Sequence, residues 1–316
     1  MPESFPLYST QEIVERRPER EKLDPRRPYS FFVEKEHNAT GDVVDVATLF
    51  LTNRECPFRC LMCDLWKHTL TESVSMGDIP EQIRWSLDQL QPAREIKLYN
   101  SGNFFDSQAI LPEDYSEIAD LVRDFETVIV ENHPNLCNDR CLSFRDLIAP
   151  AKLEIAMGLE TCHPEGLRSL NKQMTLADFE RAAEFLHVAK IRTRAFLLLK
   201  SPFMEESEAV EWTLKSVSYA FDHHVNCCAI IPTRTGNGIM DDLASRKEFR
   251  PPRGESLEYV LEQGLQLKRG RVFVDLWDVD SFFPCVLCRK QRLNRLHHMN
   301  LYQELSHSIS CPECTA

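Results

Sequence analysis

The chain has 316 residues, of which 43% are hydrophobic and 27% charged, with a formal net charge of -12. This balance describes a globular chain that buries one large core with at most a small appendage, and the acidity excludes a protein that coats nucleic acid through bulk charge. The N-terminus lacks a signal-peptide pattern and no apolar run could cross a bilayer, so no membrane association is expected and the expected location is cytoplasmic, where the 12 cysteines stay reduced.

Residues 1–40 mix Pro, Arg and Glu and read as an N-terminal surface arm. From residue 43 strands and helices alternate. "VVDVATLFLT" (43–52) is a β-branched buried strand. "DIPEQIRWSLDQL" (78–90) has helical spacing, with Asp78 as N-cap and Pro80 in the first turn. Further strands are predicted at 95–102, 127–132, 152–161, 192–200 and 226–232, with helices at 112–125, 142–150, 175–190 and 207–224 between them. Six apolar strands separated by helices predict a parallel sheet covered by helices, curled into a partial (β/α)6 TIM-like barrel over 41–235. In such a barrel the chemistry sits on loops after the strand C-termini. Residues 236–316 are expected to be a C-terminal extension: a Gly- and Pro-rich loop or lid, a helix at 256–270, an extended stretch at 271–280 and a cysteine-bearing tail.

The first strand leads into "RECPFRCLMCDLW", which holds Cys56, Cys60 and Cys63. Thiolates favour soft or borderline metals. Zinc at a structural site normally takes four protein ligands, whereas an iron–sulfur cube held by three cysteines leaves one iron open to a chelating molecule. A zinc knuckle that borrows a fourth ligand is the structural alternative.

This C-x3-C-x2-C loop after a first barrel strand resembles the radical S-adenosylmethionine (SAM) superfamily. The resemblance implies a [4Fe-4S] cluster on Cys56, Cys60 and Cys63 whose open iron binds SAM. It also implies reductive SAM cleavage to a 5′-deoxyadenosyl radical that abstracts hydrogen, and an electron donor such as flavodoxin or ferredoxin. The residue before the third cysteine is commonly aromatic in that superfamily and here is Met62. The turn "NSGNFFD" (100–106) occupies the place of the superfamily's SAM amino-group turn, which makes Ser101, Gly102 and Asn103 candidate cofactor residues, Gly102 for close backbone approach. "GLETCHPEGLRSLNKQMT" (158–175) resembles the branch with the Elongator catalytic subunit and the methylthiotransferases. There, Glu160 would contact the SAM ribose and Lys172 its carboxylate. Glu131 and Asn132, ending the third strand, are further pocket candidates.

Within that branch, "TNRECPFRCLMCDLW", "YNSGNFFD", "GLET…LNKQMT" and "LLLKSPFMEESEAV" resemble the radical-SAM subunit family of archaeosine synthase over about residues 45 to 235. This implies tRNA or nucleoside modification, with a partner protein. The residue that abstracts or guides hydrogen is not assigned. The other readings are a zinc-bound RNA or protein adaptor without catalysis, a radical SAM enzyme acting on a small molecule or peptide, and a scaffold that has lost activity.

Cys285, Cys288, Cys311 and Cys314 form C-x2-C-x22-C-x2-C, two tight pairs that suit either zinc or an auxiliary iron–sulfur cluster. Between the pairs, "RKQRLNRLHH" (289–298) concentrates Arg289, Lys290, Arg292 and Arg295 and reads either as a loop able to grip a phosphate backbone or as a solvated helix face. Cys137 and Cys141 are an unpaired C-x3-C, and Cys162, Cys227 and Cys228 read as small buried side chains. His223, His224, His297 and His298 have no sequence-evident ligand partner.

Overall fold

The computed structural model describes residues 5–314. Eight strands form one sheet in sequence order: β1 (Ser30–His37), β2 (Val43–Phe50), β3 (Glu95–Tyr99), β4 (Thr127–Asn132), β5 (Lys152–Glu160), β6 (Arg192–Leu199), β7 (Cys227–Pro232) and β8 (Arg271–Val274). β1 runs antiparallel to β2 and every later pair is parallel. The crossovers are α2 (Asp78–Leu87), α3 (Tyr115–Val122), α4 (Asp139–Leu147), α5 (Pro164–Ser169) with α6 (Leu176–Val188), α7 (Glu206–Asp222), and α8 (Ile239–Ser245) with α9 (Gly254–Gln266). α1 (Thr10–Glu15) precedes the sheet and α10 (Arg289–Tyr302) follows it.

The six predicted strands are β2–β7, and the partial barrel with a cysteine-bearing C-terminal extension is the observed architecture. Two strands were not foreseen. Residues 30–37, within the stretch read as an arm, are β1, and the extended stretch after 270 contributes β8 to the same sheet. The stretch read as a loop or lid contains α8, and the N-cap of α2 is Gly77 rather than Asp78, whose carboxylate instead accepts from Ser75 N at 2.8 Å.

Curvature follows from side-chain reach. In a flat sheet β1 and β6 would stand about 24 Å apart, at roughly 4.8 Å per strand. Yet Glu36 of β1 pairs with Arg194 of β6 at 2.6 Å and with Lys97 of β3 at 2.5 Å. Only a sheet rolled around its own lumen allows both. Glu154 of β5 joins them, accepting from Arg194 at 2.9 Å and from Arg271 of β8 at 2.7 Å, with Arg192 at 3.6 Å. Lys97, Glu154, Arg192 and Arg194 lie inside strands that read as apolar, and with Glu36 and Arg271 they plug the lumen's lower end. Outside the sheet, Leu98, Val130, Ile155 and Leu197 are fully buried against the helices. Burial would raise the Glu154 carboxyl, but Arg271, Arg194 and Arg192 outweigh it and hold it down to about 2.

Above this layer, half-buried rings from separate strands meet inside the barrel. Phe50 and Tyr99 have centroids 6.0 Å apart, and Tyr99 reaches Phe196 of β6 edge-on at 6.2 Å.

The basic stretch 289–298 belongs to α10, a helix rather than a phosphate-gripping loop, and only part of it forms a solvated face. Arg292 and Arg295 are buried and both pair with Glu258 of α9, Arg295 at 3.3 Å, while Arg295 also binds Glu262. Arg289 donates to the Phe283 carbonyl at 2.6 Å, which leaves Lys290 as the exposed cation of the four.

Candidate metal and cofactor site

The loop after β2 carries Cys56, Cys60 and Cys63 and is pinned on several sides. Leu61 N donates to Leu170 O at 2.8 Å, and Asn171 Nδ2 donates to Arg59 O at 2.8 Å. Asn237 Nδ2 reaches Leu61 O at 2.8 Å and Cys63 O at 3.1 Å. From outside, the N-terminal segment closes over the loop. Glu55, beside Cys56, accepts from Arg17 at 2.7 Å, Arg20 at 2.5 Å and Arg59 at 3.1 Å, and Arg17 lies 4.7 Å over the ring of buried Trp66. Ile13 of α1 packs with Leu61 and with Ile239, Met240 and Leu243 of α8.

The turn after β3 meets this loop. Asn103 Nδ2 donates to Cys56 Sγ at 3.1 Å, and a Cβ on Gly102 would lie 3.5 Å from Cys56 Cβ. The left-handed residue of the turn is Ser101 (φ 51), not Gly102, and its hydroxyl bonds Tyr29 Oη at 2.7 Å. Glu131 holds the turn from β4, accepting from Asn100 N at 2.6 Å and Gly102 N at 3.3 Å. Its burial raises the carboxyl to about 7 despite those donors. Asn132 Oδ1 accepts from Phe105 N at 3.3 Å and its Nδ2 donates to His133 O at 3.2 Å.

Glu160 and Lys172 pair at 2.6 Å, both buried. Glu160 is left-handed (φ 65) and sits at a register shift between β5 and β6. Strained non-glycine residues of this kind cost of order 1–3 kcal/mol and gather at functional sites. Gly158 makes room for the pair, because a Cβ there would collide with both the Glu160 carboxylate and the Lys172 ammonium. Burial opposes the Lys172 charge, but Glu160 and the facing Cys60 and Cys56 hold its pKa above the ordinary value.

His133 joins the site from the residue after β4. Its ring stacks on Phe58 of the cysteine loop at 3.8 Å, with Nε2 3.1 Å from Lys172 O and Nδ1 accepting from Asn135 N at 3.2 Å. Burial, then Lys172, push its pKa down to about 3, so the ring is neutral and carries its proton on Nε2. A lone histidine after a strand has no spacing signal that could have marked it.

The donor set fits an iron–sulfur cube better than a single ion. Burial pushes the Cys60 thiol up to about 11 and raises Cys63 further, so a metal held there would have to supply the charge that favours their thiolates. Among the described residues, the group whose ligand atoms converge within 4.8 Å is Cys285, Cys288, Cys311 and Cys314, and not the first trio. A cube spreads its thiolates over separate irons, farther apart than ligands of one ion. Cys137 and Cys141 lie away from both groups, Cys137 Sγ being 3.6 Å from Met157 Sδ, and Cys141, Cys162, Cys227 and Cys228 are buried. His297 and His298 are exposed on α10, while His223 and His224 face glutamates at 3.7 and 3.4 Å. No helix among the described residues is long and apolar enough to cross a membrane.

No protein-family profile matches the chain. Over 218 residues it is 29% identical to archaeosine synthase subunit beta of Methanosarcina acetivorans, covering 65% of this chain and 61% of that one. Over 202 residues it is 31% identical to archaeosine synthase subunit beta of Thermococcus kodakarensis, covering 61% and 62%. The match thus spans less than two thirds of the length of these relatives. The fold is shared with queuine lyase from Clostridium spiroforme, solved bound to SAM and queuine, with a TM-score of 0.53, 16% identity, and coverage of 79% of this chain and 97% of that one. The chain is thus similar in sequence to archaeosine synthase subunit beta and shares its fold with queuine lyase.

Proposed function

We propose that the chain is a radical SAM enzyme that modifies a 7-deazaguanine base, in tRNA or as a nucleoside. The observation that carries the first half is the meeting, at the C-terminal ends of β2, β3 and β5, of the three cysteines, the Ser101–Asn103 turn and the Glu160–Lys172 pair. Cys56, Cys60 and Cys63 would hold a [4Fe-4S] cluster, which when bound supplies the electron that breaks a C–S bond of SAM. Asn103 steadies Cys56 by donating to its sulfur. Lys172 places a positive charge facing Cys60 and Cys56, which offsets thiolate charge and suits it to receive the SAM carboxylate. Glu160, bent out of the strand direction, offers its carboxylate to ribose hydroxyls. The Ser101–Gly102 backbone, held by Glu131, suits the amino group. The clamp of Arg17, Arg20 and α1 shields the loop from bulk water.

The substrate class is supported by the relatives named for archaeosine and queuine, both 7-deazaguanines, and by the Phe50, Tyr99 and Phe196 rings, which offer a planar base a stacking floor. The partner subunit implied by the word "beta" and an external electron donor belong to the same reading.

The test is to reconstitute the chain anaerobically, reduce it with SAM, and measure 5′-deoxyadenosine. Release is expected, and its absence from protein carrying a full cluster overturns the enzymatic reading. Mass spectrometry of tRNA nucleosides from cells lacking the chain tests the substrate, with loss or persistence of a deazaguanine derivative as the expected result and no nucleoside difference as the refuting one.

A further inference from the structure

We infer that Cys285, Cys288, Cys311 and Cys314 bind one tetrahedral zinc ion that fastens α10 across the open side of the barrel. The sulfurs give the metal. Four sulfurs each about 2.3 Å from a single tetrahedral ion stand about 3.8 Å from one another. Cys285 and Cys311 sulfurs are 3.8 Å apart, those of Cys288 and Cys314 are 3.6 Å apart, and all four lie within 4.8 Å of one another. These distances are far too long for disulfides and too short for thiolates on separate irons of a cube. Each pair comes from a tight turn, with Arg289 N donating to Cys285 O at 3.0 Å and Cys314 N to Cys311 O at 3.2 Å. Arg292 Nε donates to Cys288 Sγ at 3.3 Å from the buried side, offsetting thiolate charge and tying the site to Glu258 of α9. With all four positions filled by sulfur, the site is closed and structural.

The role follows from where α10 lies. Among the described residues the sheet does not close on itself: β8 is its last strand, so the outward amides and carbonyls of β8 have no neighbouring strand there. α10 supplies the missing partner through two side-chain amides. Gln303 accepts from Val272 N at 2.7 Å and donates to Val272 O at 2.9 Å; Asn300 accepts from Val274 N at 3.0 Å and donates to Val274 O at 2.8 Å. Asn300 in the last turn of α10 and Gln303, its left-handed C-cap, thereby imitate a strand edge. On the other side of the seam, the Leu301 carbonyl meets His37 Nδ1 of β1 at 3.1 Å. Cys288 stands immediately before the first turn of α10, and the tail returns along the helix, where Arg295 donates to Ser306 O at 2.8 Å and His307 O at 2.7 Å, before delivering Cys311 and Cys314. The zinc therefore holds the end of α10 opposite its strand-mimicking amides. Besides those amide bonds, α10 is held by the Arg292 and Arg295 ion pairs to α9 and by buried Leu296 and Met299, and the zinc adds the fastening of its N-terminal end and of the returning tail.

Metal and acid-labile sulfide analysis of the full-length chain purified anaerobically tests the identity. About one zinc per chain is expected in addition to the iron and sulfide of the Cys56 site. It should remain after air and EDTA have stripped the iron. The iron count bears on the proposed enzymatic site and the zinc count on this one, so the two fail separately. About twice the iron and sulfide of one cluster with no zinc, or no metal beyond the first cluster, overturns the inference. Hydrogen exchange tests the role. Removing zinc with a strong membrane-permeant chelator should speed exchange of the Val272 and Val274 amides about tenfold or more, and adding zinc back should restore them. The Cys314→Ser chain, altered at the exposed end of the tail, should show the same acceleration. Unchanged exchange at both amides in the zinc-free chain refutes the fastening role.

Discussion

Replacing Glu154 with glutamine keeps its size and removes its charge from the floor of the barrel. The wild-type carboxylate is 1% exposed and faces Arg194, Arg271 and Arg192, so the variant leaves guanidiniums in the lumen with Glu36 as the remaining acid for Arg194. Two routes give the magnitude. A fall in the carboxyl pKa from 4.5 to about 2 is worth about 3 kcal/mol at roughly 1.4 kcal/mol per tenfold. Removing one partner of a buried ion pair costs about 3–5 kcal/mol. The expected loss at pH 7 is therefore about 3 kcal/mol, read as a lower urea midpoint with an unchanged slope. The sign of the pH dependence is fixed by the direction of the shift. A depressed carboxyl stabilises above its unfolded pKa, and that contribution fades as pH falls from about 4.5 toward 2. The gap between variant and parent should thus narrow by roughly 1 kcal/mol between pH 7 and pH 3.5. A loss under about 1 kcal/mol at pH 7, or a gap that widens on acidification, refutes the view that this network holds the rolled sheet together.

Lys172→Met preserves length and removes the ammonium beside the cysteine loop; SAM affinity of the reconstituted protein, measured by equilibrium dialysis, should fall roughly tenfold to a hundredfold, a cost of about 1.4–2.8 kcal/mol, at unchanged iron content. Equal affinity would remove Lys172 from the cofactor site. Arg20→Met deletes donors to Trp66 O at 2.9 Å, to Thr69 O at 2.9 Å and to Glu55 at 2.5 Å. Such a loss costs about 1–3 kcal/mol and should speed the release of cluster iron to a chelator in air. An unchanged rate would show that the N-terminal segment does not clamp the loop.

The alternation of apolar strands with helices was legible because strand burial on both faces leaves a periodicity that needs no partner to be seen, and β2–β7 follow it. β1 was hidden because "SFFVEKEH" carries charge where a strand should be apolar, and that charge is satisfied by Lys97 and Arg194, distant in sequence. The Ser101–Asn103 turn and the Glu160–Lys172 pair were found by resemblance; that Ser101 and Glu160 take left-handed backbone was not, since neither residue type favours it. His133 and the inward turn of Arg292 and Arg295 carried no local signal at all.

The sequence by itself determined the strand and helix rhythm and the spacing of both cysteine groups, because these depend on neighbours a few residues apart. Only the tertiary structure decided that the lumen is plugged with paired charge, that Arg292 and Arg295 turn inward and that α10 with its C-cap stands in for a missing strand. Each of those depends on which groups meet across the rolled sheet, and the free energy of a charge or an open hydrogen bond is set by the partner it meets.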